Sequence, residues 1–163
     1  TEIYTLSLHD ALPIWSSVDW QVLVVIASGF ALGRALEVTG AADVIAAQMI
    51  AIAGGNPWVT LAMVYLTTMI FTELITNNAA AALIFPIAIG AASKLGADPL
   101  PFAISIMMAA SACFSTPIGY QTNLMVMSPG GYKFSDYLRV GIPLNLLMAV
   151  TTIALVPIIW PLL

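Results

Sequence analysis

The chain alternates long apolar runs with short polar stretches that carry almost no charge. The most constraining stretch is Thr72–Pro86, TELITNNAAAALIFP, in which Thr76, Asn77 and Asn78 separate two apolar helical runs. Irregular backbone at membrane depth is tolerated only where it is buried in protein or lines a cavity. In transporters such breaks hold substrates and coupling ions. The stretch therefore predicts part of a membrane transporter.

Composition supports a membrane location. The 163 residues are 61% hydrophobic and 7% charged, whereas soluble domains carry roughly 25% charged residues. The net charge of −4 is spread thinly, so nucleic acid is not an expected partner. The single cysteine, Cys113, excludes an intrachain disulfide and a cysteine metal cluster. We expect an integral membrane protein whose partners are the lipid bilayer and a small solute.

The first fourteen residues differ from the rest. Thr1–Ile14, TEIYTLSLHDALPI, matches one translation frame of a common sequencing-adapter oligonucleotide over its whole length. It does not resemble a signal peptide, because it has no basic start and no apolar run. We therefore expect residues 1–14 to be a library artefact fused to a truncated gene. The only histidine, His9, lies in this stretch, so residues 15–163 offer no histidine for catalysis.

The apolar runs predict an all-α membrane protein. The fourth run is expected to have Asn77 or Asn78 as its N-cap and to bend at Pro86. The fifth is about 21 Å long by helical rise, too short to cross about 30 Å of hydrocarbon. It stops at a second polar break, STPIGYQTN, which ends at Asn123. The pattern predicts a re-entrant helical hairpin and a broken transmembrane helix. The predicted helices are Trp20–Leu36, Val44–Ala53, Trp58–Ile75, Ala79–Lys94, Pro101–Phe114 and Val140–Leu163.

The two breaks together predict a binding site. Free N–H groups at the start of the fourth helix attract anions, and Thr76, Asn77 and Asn78 add neutral donors. Free carbonyls at the ends of the third and fifth helices, with the side-chain oxygen of Asn123, could coordinate a small hard cation such as Na⁺. An anion and a cation held side by side suit cotransport. The alternative is that each asparagine simply hydrogen-bonds a neighbouring helix.

Glu73 is the one acid within an apolar run. Acids inside a membrane are costly and usually functional. Glu73 could carry a proton or pair with an arginine from a missing half of the protein. It could also be a fixed hydrogen-bond partner of the hairpin tip.

At these residues the chain resembles the divalent anion/sodium symporter family, within the wider ion transporter superfamily of citrate-transporter-like permeases. Thr72–Leu83, TELITNNAAAAL, is similar to the family's hairpin signature T-E-F-x-S-N-T-A-x-x-A-L. Phe114–Asn145, with TPIGYQTN and GGYKFSDYLRVGIPLN, resembles the broken helix and last helix of its C-terminal half. The resemblance implies that residues 15–163 are the second of two inverted repeats. The first repeat is then missing, and the full-length form is expected to be a homodimer.

The resemblance also implies roles for individual residues. It implies an anionic substrate, often a dicarboxylate or sulfate, with Na⁺ as coupling ion and no other cofactor. Asn78 stands where the family has Thr, and Gln121-Thr122 where it has Pro-Pro. These departures leave dicarboxylate specificity and the choice between Na⁺ and H⁺ open, and they favour sulfate-type permeases. The implied substrate-binding residues are Thr76, Asn77, Asn78, Thr122 and Asn123, and the implied Na⁺-binding residues are Asn77, Asn123 and Gly119.

Four functions are conceivable for these residues. The first is a secondary active anion transporter of a prokaryotic cytoplasmic (inner) membrane, truncated to its C-terminal half. The second is a proton-coupled antiporter of the same superfamily, of arsenite or Na⁺/H⁺ type, in which Glu73 titrates. The third, an intramembrane enzyme, has Ser111, Ser115 and Ser128 as nucleophiles but no G-x-S-x-G motif and no metal-ligand cluster. The fourth, a passive channel, needs a continuous polar helix face, whereas the polarity is concentrated at two breaks. We expect a transporter and not an enzyme.

Overall fold

The computed structural model describes residues 20–163, which form seven helices and no strand. The predicted artefact, residues 1–14, lies outside the described residues and stays a prediction. The helices are α1 (Trp20–Val38), α2 (Ala41–Ile52), α3 (Pro57–Leu74), α4 (Asn77–Leu95), α5 (Pro99–Ser111), α6 (Gln121–Met127) and α7 (Phe134–Ile159).

Several of these helices can cross a membrane. Within residues 20–163, α3, α4 and α7 are each long and apolar enough to span. The pair α1 and α2 passes the same test together, but it is bent by 76° at a short break. Helix α5 has only 13 residues, so it needs a continuation to reach the other side. The prediction of an all-α membrane protein is confirmed.

Helix boundaries differ from prediction where a side chain caps the end. The predicted N-cap of α4 was wrong, because α4 begins at Asn77 and its N-cap is Thr76. Helix α5 starts at Pro99 rather than Pro101, since the Asp98 carboxylate accepts the Leu100 N–H at 2.8 Å.

Helix α7 also starts earlier than predicted, at Phe134 rather than Val140. Asp136 Oδ2 accepts the Lys133 N–H at 2.8 Å, which supports the first turn. At the other end, Trp160 is extended and precedes Pro161, so α7 stops at Ile159. Helix α2 begins at Ala41 rather than Val44, directly after Gly40, whose φ is +73°.

Helix α4 is the central helix of the fold, since it packs against α1, α2, α3 and α5. Its buried face consists largely of alanines, which let neighbouring helices approach closely. Pro86 has no N–H, so the Ala82 carbonyl loses its usual partner within the helix. Gly33 of α1 lies against that carbonyl, and an added Cβ there would be 2.9 Å from the oxygen.

Helices α3 and α5 run to the two breaks and are held together by α7. A buried cluster of Tyr65, Ala109 and Ala149 takes one residue from each of these helices. Thr72, in the last turn of α3, donates its hydroxyl hydrogen to the carbonyl of Ala110 at 2.8 Å. The last turns of α3 and α5 therefore lie side by side, which brings the two polar breaks together.

Candidate functional site

The first break is the hairpin tip, residues 75–78, which comprises the two residues between α3 and α4 and the first two residues of α4. Ile75 and Thr76 are extended. The Thr76 hydroxyl oxygen accepts the Ala79 N–H at 3.4 Å, and Asn77 Oδ1 accepts the Asn78 N–H at 2.9 Å. Two backbone donors of the first turn of α4 thus have partners within the tip. The tip therefore offers fewer free N–H groups to an anion than the sequence predicted, and its side chains supply a larger share of the polar groups.

The second break is the break loop, residues 112–120, between α5 and α6. Asn123, in the first turn of α6, donates through Nδ2 to the carbonyls of Cys113 at 3.0 Å and Thr116 at 3.2 Å. The Tyr137 hydroxyl of α7 donates to the Asn123 carbonyl at 2.7 Å. Asn123 therefore closes the loop onto itself and links it to α7.

The break loop lies directly on the end of α3. The Thr116 hydroxyl donates to the Glu73 carbonyl at 2.8 Å, and the Cys113 thiol donates to the Thr72 carbonyl at 3.3 Å. Gly119 is pressed so closely against this end that a Cβ there would overlap the Thr72 carbonyl oxygen and Cys113 Sγ. The carbonyls at the end of α3 were predicted to be free for a cation, yet each of these two already accepts a hydrogen bond. A carbonyl oxygen has two lone pairs, so each retains one further acceptor position.

Glu73 joins three elements through one oxygen atom. Its Oε1 accepts the backbone N–H groups of Phe114 at 3.1 Å and Ser115 at 2.9 Å, and the Asn145 Nδ2 of α7 at 2.6 Å. These partners explain why α5 ends at Ser111 and not at the predicted Phe114, since the loop N–H groups donate to a carboxylate rather than to helix carbonyls. Among the roles left open for Glu73, this placement suits a fixed hydrogen-bond partner.

Asn145 is a buried site residue that the sequence analysis did not single out. Only 4% of it is exposed, and Nδ2 donates to Ser115 Oγ at 2.8 Å as well as to Glu73. Within the described part of the chain, Asn145 Oδ1 has no hydrogen-bond partner. The signal was present, because Asn145 is an amide inside the apolar run VGIPLNLLMAV. Like Glu73, a polar residue inside an apolar run is costly in a membrane and therefore indicates a specific partner or function.

The predicted substrate residues do not all meet. Asn78 is exposed and lines an open cavity of about 660 Å³ between α1, α4 and α5, with Arg34 and Glu37 on the same cavity. Thr122 is exposed on α6. Among the described residues, no hydrogen bond joins residues 76–78 to residues 122–123. The structure thus brings Gly119 and the break loop against the residues just before the tip.

Apolar helices with two adjoining polar breaks are typical of membrane transporters. The family model described as "Citrate transporter" matches residues 3–163, and the chain belongs to that family. The resemblance to the divalent anion/sodium symporter family is confirmed, and the chain belongs to a family of transporters, not of enzymes.

Several relatives carry transporter names. The chain is 40% identical to an uncharacterized transporter of Synechocystis sp. over 149 residues, covering 90% of this chain and 24% of that protein. It is 32% identical to an uncharacterized transporter of Escherichia coli (strain K12), covering 93% of this chain and 25% of the relative. It is 40% identical to sodium/sulfate cotransporter 1 of Chlamydomonas reinhardtii, covering 78% of this chain and 15% of the relative. The chain therefore spans a quarter or less of the length of these relatives.

Proposed function

We propose that the full-length protein containing this chain is a secondary active transporter of a small divalent anion, with sulfate favoured, driven by Na⁺. The observation that carries this proposal is the contact between the two breaks, since the break loop rests on the residues that lead into the hairpin tip. A movement of the loop would therefore change the affinity of the tip for its solute, as coupled transport requires. The citrate-transporter family and the relatives named as sodium/sulfate cotransporters support the same solute class.

Roles for the site residues follow from their donors and acceptors. Thr76, Asn77 and Asn78 would bind the anion through hydroxyl and amide hydrogens, assisted by the partial positive charge of the α4 N-terminus. Thr122 would add a hydroxyl from α6. Na⁺ would bind carbonyl and amide oxygens of Asn77, Gly119 and Asn123. A hard cation prefers oxygen ligands of this kind.

The low formal charge of the site supplies a physical reason for coupling. An isolated dianion is costly to transfer from water into a low-dielectric site. The tip offers neutral donors and no lysine or arginine, so the anion alone would be poorly compensated. A cation bound a few ångströms away offsets part of this cost. Each ion would therefore bind more tightly in the presence of the other.

The rest of the transporter would complete the site. We propose that the chain forms one inverted repeat and pairs with a first repeat supplied by the remainder of the protein. We further propose a homodimer in the cytoplasmic membrane of a prokaryote. The chain covers 15–25% of the length of the three relatives named above, which supports the view that other segments contribute.

The second candidate is a proton-coupled antiporter in which Glu73 titrates. A group that exchanges protons during transport needs to release its partners and reach water. Glu73 Oε1 instead holds three donors from the break loop and α7. This arrangement favours the sodium-coupled anion transporter.

Uptake by proteoliposomes tests the proposal. The full-length protein is reconstituted and assayed for radiolabelled sulfate uptake under an inward Na⁺ gradient, with K⁺ replacing Na⁺ or with a pH gradient alone as comparisons. We expect uptake only with Na⁺, and we expect Asn77→Ala and Asn123→Ala to abolish it while the protein remains folded. The matched control is Gln48→Ala, which removes an exposed amide on α2. Normal uptake by both asparagine variants would refute the site, and uptake driven by pH alone would favour the antiporter.

A further inference from the structure

We infer that the Glu73 carboxylate and the Asn145 amide form a clasp that sets the distance between the hairpin tip and the break loop. The two residues would position the transport site without touching the solute. This inference deepens the proposed function and rests on it for the transport readout, although the clasp itself can be measured without transport.

Glu73 connects the end of α3 to the break loop. It lies in the last turn of α3, three residues before Thr76, so its backbone leads directly into the tip. Its side chain turns to the break loop, where Oε1 accepts the N–H groups of Phe114 and Ser115. Its own carbonyl accepts the Thr116 hydroxyl. Main chain and side chain of one residue thus hold three consecutive residues of the loop.

Helix α7 supplies the other half of the clasp and lies against the break loop. Gly141 and Asn145 lie one turn apart, on the same face of this helix. An added Cβ at Gly141 would overlap the backbone of Phe114 and Ser115, so α7 reaches the loop at contact distance. This approach places Asn145 Nδ2 at 2.6 Å from Glu73 Oε1 and 2.8 Å from Ser115 Oγ. Bonds to a carboxylate are stronger than bonds between neutral groups.

These hydrogen bonds fix the distances between the elements around the site. The end of α3, the break loop and α7 meet at one acceptor atom, Glu73 Oε1, so they keep their spacing as a unit and fix where the tip begins. The oxygens of Gly119 and Asn123 lie on the loop side of the clasp, and Asn77 lies on the tip side. A cation that needs oxygens from both sides would depend on the clasp for its ligand spacing.

Hydrogen exchange on the full-length protein tests the contact itself. Glu73→Ala should speed amide exchange of the peptide containing Phe114 and Ser115 by about tenfold or more, because a lost charge-assisted bond is worth at least that factor. Glu73→Gln should speed exchange less than Glu73→Ala does, since its amide oxygen can still accept both N–H groups, although without the charge of the carboxylate. Glu37→Ala is the matched control, because Glu37 is an exposed acid paired with Arg34 on α1. Unchanged exchange in Glu73→Ala would overturn the clasp.

Sulfate uptake tests the positioning role. In Glu73→Ala, the Na⁺ concentration for half-maximal uptake should rise by about tenfold when activity is scaled to folded protein. Glu73→Gln should restore it to within about threefold. Asn145→Ala removes the bonds from Nδ2 to Glu73 and to Ser115 Oγ but leaves the bonds from the loop N–H groups to Glu73. It should therefore shift half-saturation in the same direction by about threefold even if Glu73→Ala does not fold. A purely structural role would lower the amount of folded protein without changing half-saturation, and that result would overturn the inference.

The outcomes separate this inference from the proposed function. If wild-type protein takes up no sulfate with Na⁺, the proposed function fails while exchange at Phe114 and Ser115 still decides the clasp. If Glu73→Gln exchanges more slowly than Glu73→Ala but does not transport, then the carboxylate acts in transport itself, and the positioning role is wrong.

Discussion

Replacing Gly141 with alanine should destabilise the protein, although alanine is the better helix former. Gly141 lies inside α7, where exchanging glycine for alanine in a helix ordinarily gains about 0.5–1 kcal/mol. At Gly141 the structure instead predicts a loss of stability on substitution by alanine. The new methyl group would overlap the Phe114 carbonyl and the Ser115 Cα. These are backbone atoms of the break loop, and they cannot move aside as a flexible side chain could.

The magnitude follows from the two opposing effects. Forcing an extra carbon into a well-packed site costs about 1–3 kcal/mol, and the neighbouring N–H groups of Phe114 and Ser115 are already engaged with Glu73. Subtracting the helix gain leaves a net loss of up to about 2.5 kcal/mol, and we expect the upper half of this range because the overlapping atoms belong to the backbone.

A matched control separates packing from helix propensity. Gly90 lies inside α4, and a Cβ there would be 3.7 Å from Asp43 Oδ1 and 3.9 Å from the Ala46 Cβ, which are ordinary contacts. Gly90→Ala should therefore leave the melting temperature of the detergent-solubilised full-length protein unchanged or raise it. Gly141→Ala should lower it by a few degrees. Equal melting temperatures for wild type and Gly141→Ala would refute the contact between α7 and the break loop.

Two further predictions concern Cys113 in the break loop and Asn56 at the start of α3. Cys113 is 5% exposed, so maleimide should label it slowly in the wild-type protein and faster in Glu73→Ala. Mass spectrometry of the peptide that contains Cys113 measures both rates. Equal rates would contradict the link between Glu73 and the break loop. Asn56→Ala removes the side chain that accepts the N–H groups of Trp58 and Val59, so it should cost about 1 kcal/mol of stability. A melting temperature equal to that of wild type would show that this cap contributes nothing.

Local features of the sequence indicated six of the seven helices in residues 20–163, whereas the short α6 (Gln121–Met127), which begins inside the predicted second break, was not among them. Apolar runs indicated these helices because a segment that faces lipid has to be apolar, and because only a helix lets its backbone N–H and C=O groups form hydrogen bonds within the segment. Both breaks were located as well, since polar residues such as Asn77 and Asn123 interrupt those runs. The helix ends were less accurate, as the N-cap role of Thr76 shows. A serine, threonine, aspartate or asparagine can cap a helix from several neighbouring positions.

The partners of Glu73 could not be read from the sequence. The three donors to its Oε1 lie 41, 42 and 72 residues further along the chain. A single acid in an apolar run indicates that some partner exists, but its identity depends on how helices pack in three dimensions. Asn145 was equally visible as a polar residue in an apolar run, yet only its packing against Ser115 gives it a defined contact.

The sequence by itself thus determined that this is a helical membrane protein with two polar breaks and a transporter-family motif, because hydropathy and local capping act over a few residues. Only the tertiary structure decided that the break loop rests on the end of α3 and that α7 joins them. Those contacts depend on close approaches at Gly119 and Gly141. Such approaches depend on tertiary packing, because the elements that contact a glycine are set by how the helices are arranged and not by the residues next to it in the chain.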